Sequence, residues 1–155
     1  MNAIKLYRVA HSLKRRRIPI LPELMRWLMF LIYNSTIPPE CIIGEDCIFG
    51  HGGIGVVLHP KARIGCRVLI GQGVTIGGNF GSGPPRIMDD VWIGPGARIL
   101  GDITVGQNSV IGANSVVTRD VPENSIVGGV PAKLIKTIEP GQLDVKRGRL
   151  RVSTR

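Results

Sequence analysis

Aliphatic residues, once replaced by phenylalanine, recur at a spacing of six along most of this chain. They are Ile37, Ile43 and Phe49, then Leu58, Ile64, Ile70 and Ile76, then Ile87, Ile93, Ile99, Val105, Ile111 and Val117. Glycine often follows, as at Gly44, Gly65, Gly71, Gly94 and Gly106, and a small or β-branched residue stands four places on, as at Cys47, Ala62, Val68, Val74, Val91, Ala97, Ser109 and Ser115. A period of six fits neither an amphipathic helix nor an alternating strand, and its persistence predicts a solenoid. Each unit supplies one short strand with its aliphatic residue turned to the axis, and the glycine is expected to let the backbone turn a tight corner. Three units close a triangular coil, so the thirteen positions make a little over four coils stacked as a column. The pattern therefore predicts an all-β solenoid with parallel strands.

Two interruptions break the phase. Nine residues separate Phe49 from Leu58, so three extra residues bulge out within 51–57, and eleven separate Ile76 from Ile87, so five extra residues make a loop over 78–86. Solenoids carry their binding groups on such excursions.

The first 36 residues lack the beat. They predict two helices, Ala3 to Arg16 and Leu21 to Tyr33, the second opening beside Pro22. The division is thus an N-terminal helical cap over 1–36, a hexapeptide-repeat domain over 37–138 that includes a closing turn, and a basic tail over 139–155. The second apolar run contains Arg26 and falls short of the about 20 residues that span a bilayer. The run Lys14-Arg15-Arg16-Arg17 lies too far in for a secretory leader. Either the helices cover the open end of the solenoid or a neighbouring subunit, or they rest as a basic, apolar hairpin on the inner, cytoplasmic face of a membrane.

Composition narrows the picture further. A chain of 155 residues with 43% hydrophobic and 5% aromatic residues builds its core from small branched side chains, as a narrow column requires. The net charge of +9 gathers at the two ends, and after Asp144 the tail has five positive residues and no acid. No aromatic and basic RNA motif or DNA-reading helix accompanies that charge, so nucleic acid is not the expected partner. Cys41 and Cys47 fall on the small inward positions and Cys66 on a corner, a spacing that signals neither metal nor disulfide and fits a reducing cytoplasm. Three histidines without ligand spacing also exclude a β-helical zinc carbonic anhydrase.

With the beat go four motifs: Phe49-Gly50-His51-Gly52-Gly53-Ile54-Gly55-Val56-Val57, Val74-Thr75-Ile76-Gly77-Gly78, Ile93-Gly94-Pro95-Gly96-Ala97-Arg98-Ile99-Leu100-Gly101, and the closing Gly128-Gly129-Val130-Pro131-Ala132-Lys133. Over residues 3–138 the chain resembles the serine acetyltransferases, and most of all the short serine acetyltransferase-like proteins of polysaccharide biosynthesis. The resemblance implies a left-handed column, a homotrimer with sites between neighbouring columns, and acetyl-CoA as donor, with no metal. Ile54, Val56 and Val57 are expected to face outward where subunits meet.

Moving an acetyl group from a thioester to a hydroxyl needs a base for the alcohol's proton, and histidine serves near neutral pH. Glycine-rich turns offer backbone N–H groups to the oxyanion. His51, in the first bulge, matches the family's catalytic histidine, and His59 is its rival, with a turn-forming role as its alternative; His11, in the first helix, is structural. The resemblance assigns the donor's channel to Gly77, Gly78, Pro95 and Ala113, and its phosphates to Lys133. Acceptor contacts fall to Thr36, Asn79 and Arg86.

The chain departs from the serine enzymes at three places. Thr36 stands where they pair an aspartate with the histidine, Gly50 where a second aspartate precedes it, and the loop that carries their Arg-His pair is shorter and reads Gly83-Pro84-Pro85-Arg86. A zwitterionic acceptor needs such charged partners. The residues therefore favour an O-acetyltransferase acting on a saccharide or polysaccharide precursor, with serine O-acetyltransferase as the alternative and a non-catalytic β-helical scaffold third.

Overall fold

In a computed structural model, residues 2–78, 83–140, 142–144 and the backbone of 149–150 are described. Two helices precede a three-sided column. α1 (Ala3–Arg15) starts at Asn2, whose side chain accepts the Ile4 N–H, and α2 (Leu21–Tyr33) starts beside Pro22 and ends at Asn34 in the left-handed conformation. One face of the column stacks β1 (Ile42–Ile43), β4 (Arg63–Ile64), β7 (Arg86–Ile87) and β10 (Thr104–Val105). The second stacks β2 (Ile48–Phe49), β5 (Leu69–Ile70), β8 (Trp92–Ile93), β11 (Val110–Ile111) and β13 (Ser125–Gly129). The third stacks β3 (Val57–Leu58), β6 (Thr75–Gly77), β9 (Arg98–Leu100) and β12 (Val116–Val117). All of these pairings are parallel and in register, so that Phe49, Ile70, Ile93 and Ile111 stand one above another.

All thirteen phased positions are buried, as are the small residues four places on. Burying such side chains is the main favourable term here, about 1.5–3 kcal/mol for each large one. Cys41 and Cys47 fill small core positions, and burial pushes the Cys41 thiol up to about 12, which leaves it protonated and inert.

The glycines act differently from the expectation of a tight corner. Gly44, Gly65, Gly71, Gly94 and Gly106 keep ordinary negative φ, yet a Cβ on Gly94 would lie 2.6 Å from the Ala113 backbone nitrogen and one on Gly71 2.6 Å from that of Pro95. They are needed for clearance between coils. The left-handed conformation falls two residues later, at Asp46, Arg67, Asp90, Asn108 and Asn114 among others. Short polar side chains tolerate it best. Arg67 is the bulky exception, and its guanidinium grips Asp90 of the next coil through bonds of 2.6 and 2.8 Å.

Both ends of the described column are closed. α1 lies across the first coil, where Tyr7 Oη donates to the Cys41 carbonyl at 2.6 Å, Asn2 Nδ2 donates to that of Phe49 at 2.9 Å, and His11 Nδ1 bonds that of Pro39 at 2.8 Å. The cap therefore covers its own column. At the far end β14 (Ala132–Thr137) turns back antiparallel on β13, and Ile138 and Leu143 cover Val110 on the second face. Leu143 opens β15 (Leu143–Asp144), paired with β16 (Arg149–Leu150).

Candidate active site

The first excursion opens with a kinked turn, Gly50–Gly53, at the corner between the second and third faces. His51 sits in it with φ 47° and ψ 40°, a left-handed conformation that costs a residue with a Cβ on the order of 1 kcal/mol. Gly52, Gly53 and Gly55 also have positive φ, so the sequence His-Gly-Gly-Ile-Gly supplies the freedom this turn demands. The imidazole is exposed and makes no hydrogen bond among the described residues.

The turn is held from behind. Ser35, fully buried, donates from Oγ to the Gly53 carbonyl and accepts the Val56 N–H at 3.3 Å. Tyr33 O accepts the Gly55 N–H at 2.9 Å and Val56 O accepts that of Thr36 at 2.8 Å. The end of α2 is thereby stitched to the excursion. Val56 contradicts the expectation that it faces outward: it turns into the core and is fully buried, while Ile54 and Val57 are exposed. The repeat explains the inversion: Val56 stands two places before Leu58, the same small inward slot that Ala62, Val68 and Val74 occupy before Ile64, Ile70 and Ile76.

Stacking in register makes a column of corner residues. Above Phe49 and Gly50 stand Ile70, Gly71 and Gln72, then Ile93, Gly94 and Pro95, then Ile111, Gly112 and Ala113. The first-coil counterpart of Gln72 and Pro95 is Ile54, since the Ile54, Gln72 and Pro95 carbonyls accept the N–H groups of Gly73, Gly96 and Asn114 in turn. Gln72, overlooked from sequence, Pro95 and Ala113 therefore share one edge, and His51 lies in the excursion at its foot. Lys133, paired with Gly128 in the closing hairpin, is exposed at the far end of this corner. The Ala113 N–H makes no hydrogen bond among the described residues, whereas Pro95 has none to give.

The other candidates occupy the corner between the third and first faces. Gly77 ends β6, Gly78 follows it, and Arg86 opens β7; Asn79 lies outside the described residues. Among the described residues a Cβ on Gly77 would meet only Thr75 Cγ2 at 4.0 Å, unlike one on the stacked glycines. His59 is at this corner too, one coil below Gly77, and its Nδ1 accepts the Lys61 N–H at 3.1 Å. That bond gives His59 the turn-forming contact of its alternative reading. Thr36 lies on the third face, bridged to Val57, and with Ser35, Arg26, Trp27 and Phe30 it lines a recess of about 240 Å³. No group of three or more histidine, cysteine or acidic side chains able to hold a metal ion occurs among the described residues.

Residues 84–119 match the family model for the bacterial transferase hexapeptide, six repeats. The chain is 40% identical over 138 residues to the serine acetyltransferase of Bacillus subtilis, a match that covers 87% of this chain and 63% of that one. It is 40% identical over 137 residues to the serine acetyltransferase of Synechococcus elongatus, covering 86% and 56%. Among solved structures, a serine acetyltransferase in complex with cysteine superposes with a TM-score of 0.85 at 33% identity, over 96% of this chain and 58% of that one. The Brucella abortus serine acetyltransferase in complex with coenzyme A gives 0.83 at 36%, over 88% and 56%. This chain thus spans between half and two thirds of the length of these relatives. The column is the left-handed parallel β-helix that the resemblance implies.

Proposed function

Because the chain belongs to the serine acetyltransferase-like hexapeptide-repeat proteins, we propose that it is an acetyl-CoA-dependent O-acetyltransferase with His51 as general base. One observation supports this most: the single exposed excursion of the first coil holds a histidine in a left-handed conformation, with its ring free to meet an acceptor. Acetyl-CoA, when bound, supplies an acetyl group activated as a thioester. Gly77, Gly78, Pro95 and Ala113 are the residues that would hold its arm and Lys133 its phosphates. Among the described residues, the space around Gly77 and the unbonded N–H of Ala113 fit that role. His51 takes the proton of the acceptor hydroxyl as the oxygen attacks, holds it as imidazolium, and returns it to the departing thiolate. Such a base contributes roughly 10²–10⁴ in rate.

The candidate residues lie on two corners separated by the width of the third face. A ligand that reaches both is best served by one corner from each of two neighbouring columns, which is the reason to expect a homotrimer. The homotrimer is expected to work in the cytoplasm.

For the acceptor, the relatives support L-serine over a saccharide, since those named are serine acetyltransferases. A saccharide hydroxyl is the second reading, favoured by Thr36, Gly50 and Gly83-Pro84 where a zwitterion calls for charged side chains. A buried site without such partners discriminates strongly against charge. Thiol release from acetyl-CoA, measured with L-serine against a panel of sugars, nucleotide sugars and lipid-linked saccharides, separates the two. Efficient turnover of L-serine, near 10⁴ M⁻¹s⁻¹ or above as a rough threshold, excludes the saccharide reading, and turnover confined to the saccharides excludes L-serine. Absence of thiol release with every acceptor would remove the proposed activity.

A further inference from the structure

The helical hairpin carries two features that closing the column does not require. α2 buries only Pro22, Met29 and Tyr33. Leu24, Trp27 and Leu31 run along its opposite side at helical spacing, with Trp27 56% and Leu31 72% exposed, and Ile20, 78% exposed, prolongs the stripe into the preceding turn. A helix that buries one apolar stripe and exposes another on its opposite side is one whose outer stripe calls for a cover.

The second feature is charge. Residues 1–36 hold seven lysines and arginines against one acid, Glu23. Lys14 pairs with Glu40 and Arg26 with Glu23, while Arg8 donates to the Ile43 and Gly44 carbonyls. Arg15, Arg16 and Arg17 are exposed and form no ion pair among the described residues. The turn that carries them also carries Ile18 and Ile20, both exposed, so unpaired guanidinium groups and uncovered apolar side chains share one end of the hairpin.

We propose that this hairpin docks the protein on an anionic phospholipid leaflet, with α2 lying in the plane of the interface. Lipid phosphates meet Arg15, Arg16 and Arg17 while the acyl boundary covers Ile20, Leu24, Trp27 and Leu31, a pairing of basic and apolar surface that such leaflets bind. The attachment is peripheral: no helix among the described residues is long and apolar enough to cross a membrane. Since Tyr33, Ser35 and Thr36 tie the end of α2 to the His51 turn, docking also fixes that turn relative to the bilayer. Under the acyl-transfer reading, it would present His51 to acceptors anchored in the leaflet.

The test is flotation of the full chain with phosphatidylcholine vesicles and with equimolar phosphatidylcholine–phosphatidylglycerol vesicles, in the absence of acetyl-CoA and acceptor, so that its failure leaves the acyl-transfer reading untouched. Partition onto the anionic vesicles should exceed that onto neutral ones by about tenfold or more and fall as salt rises. The triple variant Arg15→Ser, Arg16→Ser, Arg17→Ser and the double variant Ile20→Asp, Leu24→Asp should each lose about tenfold or more. Independently of those variants, Trp27 fluorescence in a Trp92→Phe chain should shift to the blue on anionic vesicles. Equal partition onto both vesicle types, or the absence of any shift, overturns the proposal. So does a smaller particle mass for the Ile20, Leu24 variant in sedimentation without lipid, because the stripe would then be a contact between copies of this chain.

Discussion

His51 and His59 are both histidines beside core positions, and their backbones separate them. His51 is held in a left-handed turn with an unoccupied ring, whereas the His59 ring already accepts a backbone N–H. His51→Asn should lower turnover roughly 10²-fold or more in steady-state assays and leave acetyl-CoA binding nearly unchanged, and His59→Asn should do less. The reverse ranking would move the base to His59. Two glycines make a second contrast. Gly94→Ala drives a Cβ to 2.6 Å from backbone of the next coil and should cost on the order of 1–3 kcal/mol in urea unfolding. Gly77→Ala meets nothing closer than 4.0 Å among the described residues, so it should leave the unfolding midpoint unchanged while weakening acetyl-CoA in titration calorimetry. Equal stability losses at the two sites would show that coil clearance does not select glycine. Sequence alone could not sort these glycines, because each follows an aliphatic residue and the difference lies in what stands one coil away.

At the scale of elements, the six-residue beat was sufficient to place every phased side chain inside, since a strand of two residues has one inward position. The helices were legible too, with α1 ending at Arg15, one residue earlier than the pattern suggests. What the beat conceals is which residues share a corner. Regular coils repeat every 18 residues, as from Ile93 to Ile111, but the excursions lengthen the steps to 21 from Phe49 to Ile70 and 23 from Ile70 to Ile93, which hid Gln72 on the corner below Pro95. The inward side chain of Val56, by contrast, is legible in the beat once the excursion is counted back from Leu58, because it stands two places before that residue as Ala62, Val68 and Val74 do before theirs. Coil-to-coil ties also set a pH dependence. The Arg67 guanidinium bonded to Asp90 holds that carboxyl below its ordinary value of about 3.9, so its contribution is complete above that pH and is lost as pH falls through the lowered value. The pair is partly exposed, so Asp90→Asn should cost about 1 kcal/mol or less at neutral pH. Unfolding curves of the two proteins should converge in strong acid; a gap that stays constant would assign the loss to packing.

As a whole molecule, the chain leaves Ile54 and Val57 exposed beside its candidate base, along with Ile42 and Ile48 on the other two faces. Sedimentation equilibrium at micromolar concentration should return three times the chain mass of 16.8 kDa, and a monomer there would remove the intersubunit site. The stacking glycines have one more effect. With backbones in contact from coil to coil, the column has no slack along its axis, and each level lies about 4.8 Å above the one below. Gly50, beside His51, and Gly112, beside Ala113, are three levels apart, hence about 14 Å along the same edge, with Lys133 in the hairpin that follows. The corner is a ruler with fixed graduations, on which the reach of a bound molecule is measured in whole coils and cannot be adjusted by bending. Evolution can retune such an instrument only by adding or deleting an entire turn, or by changing the residue that stands at one of its marks.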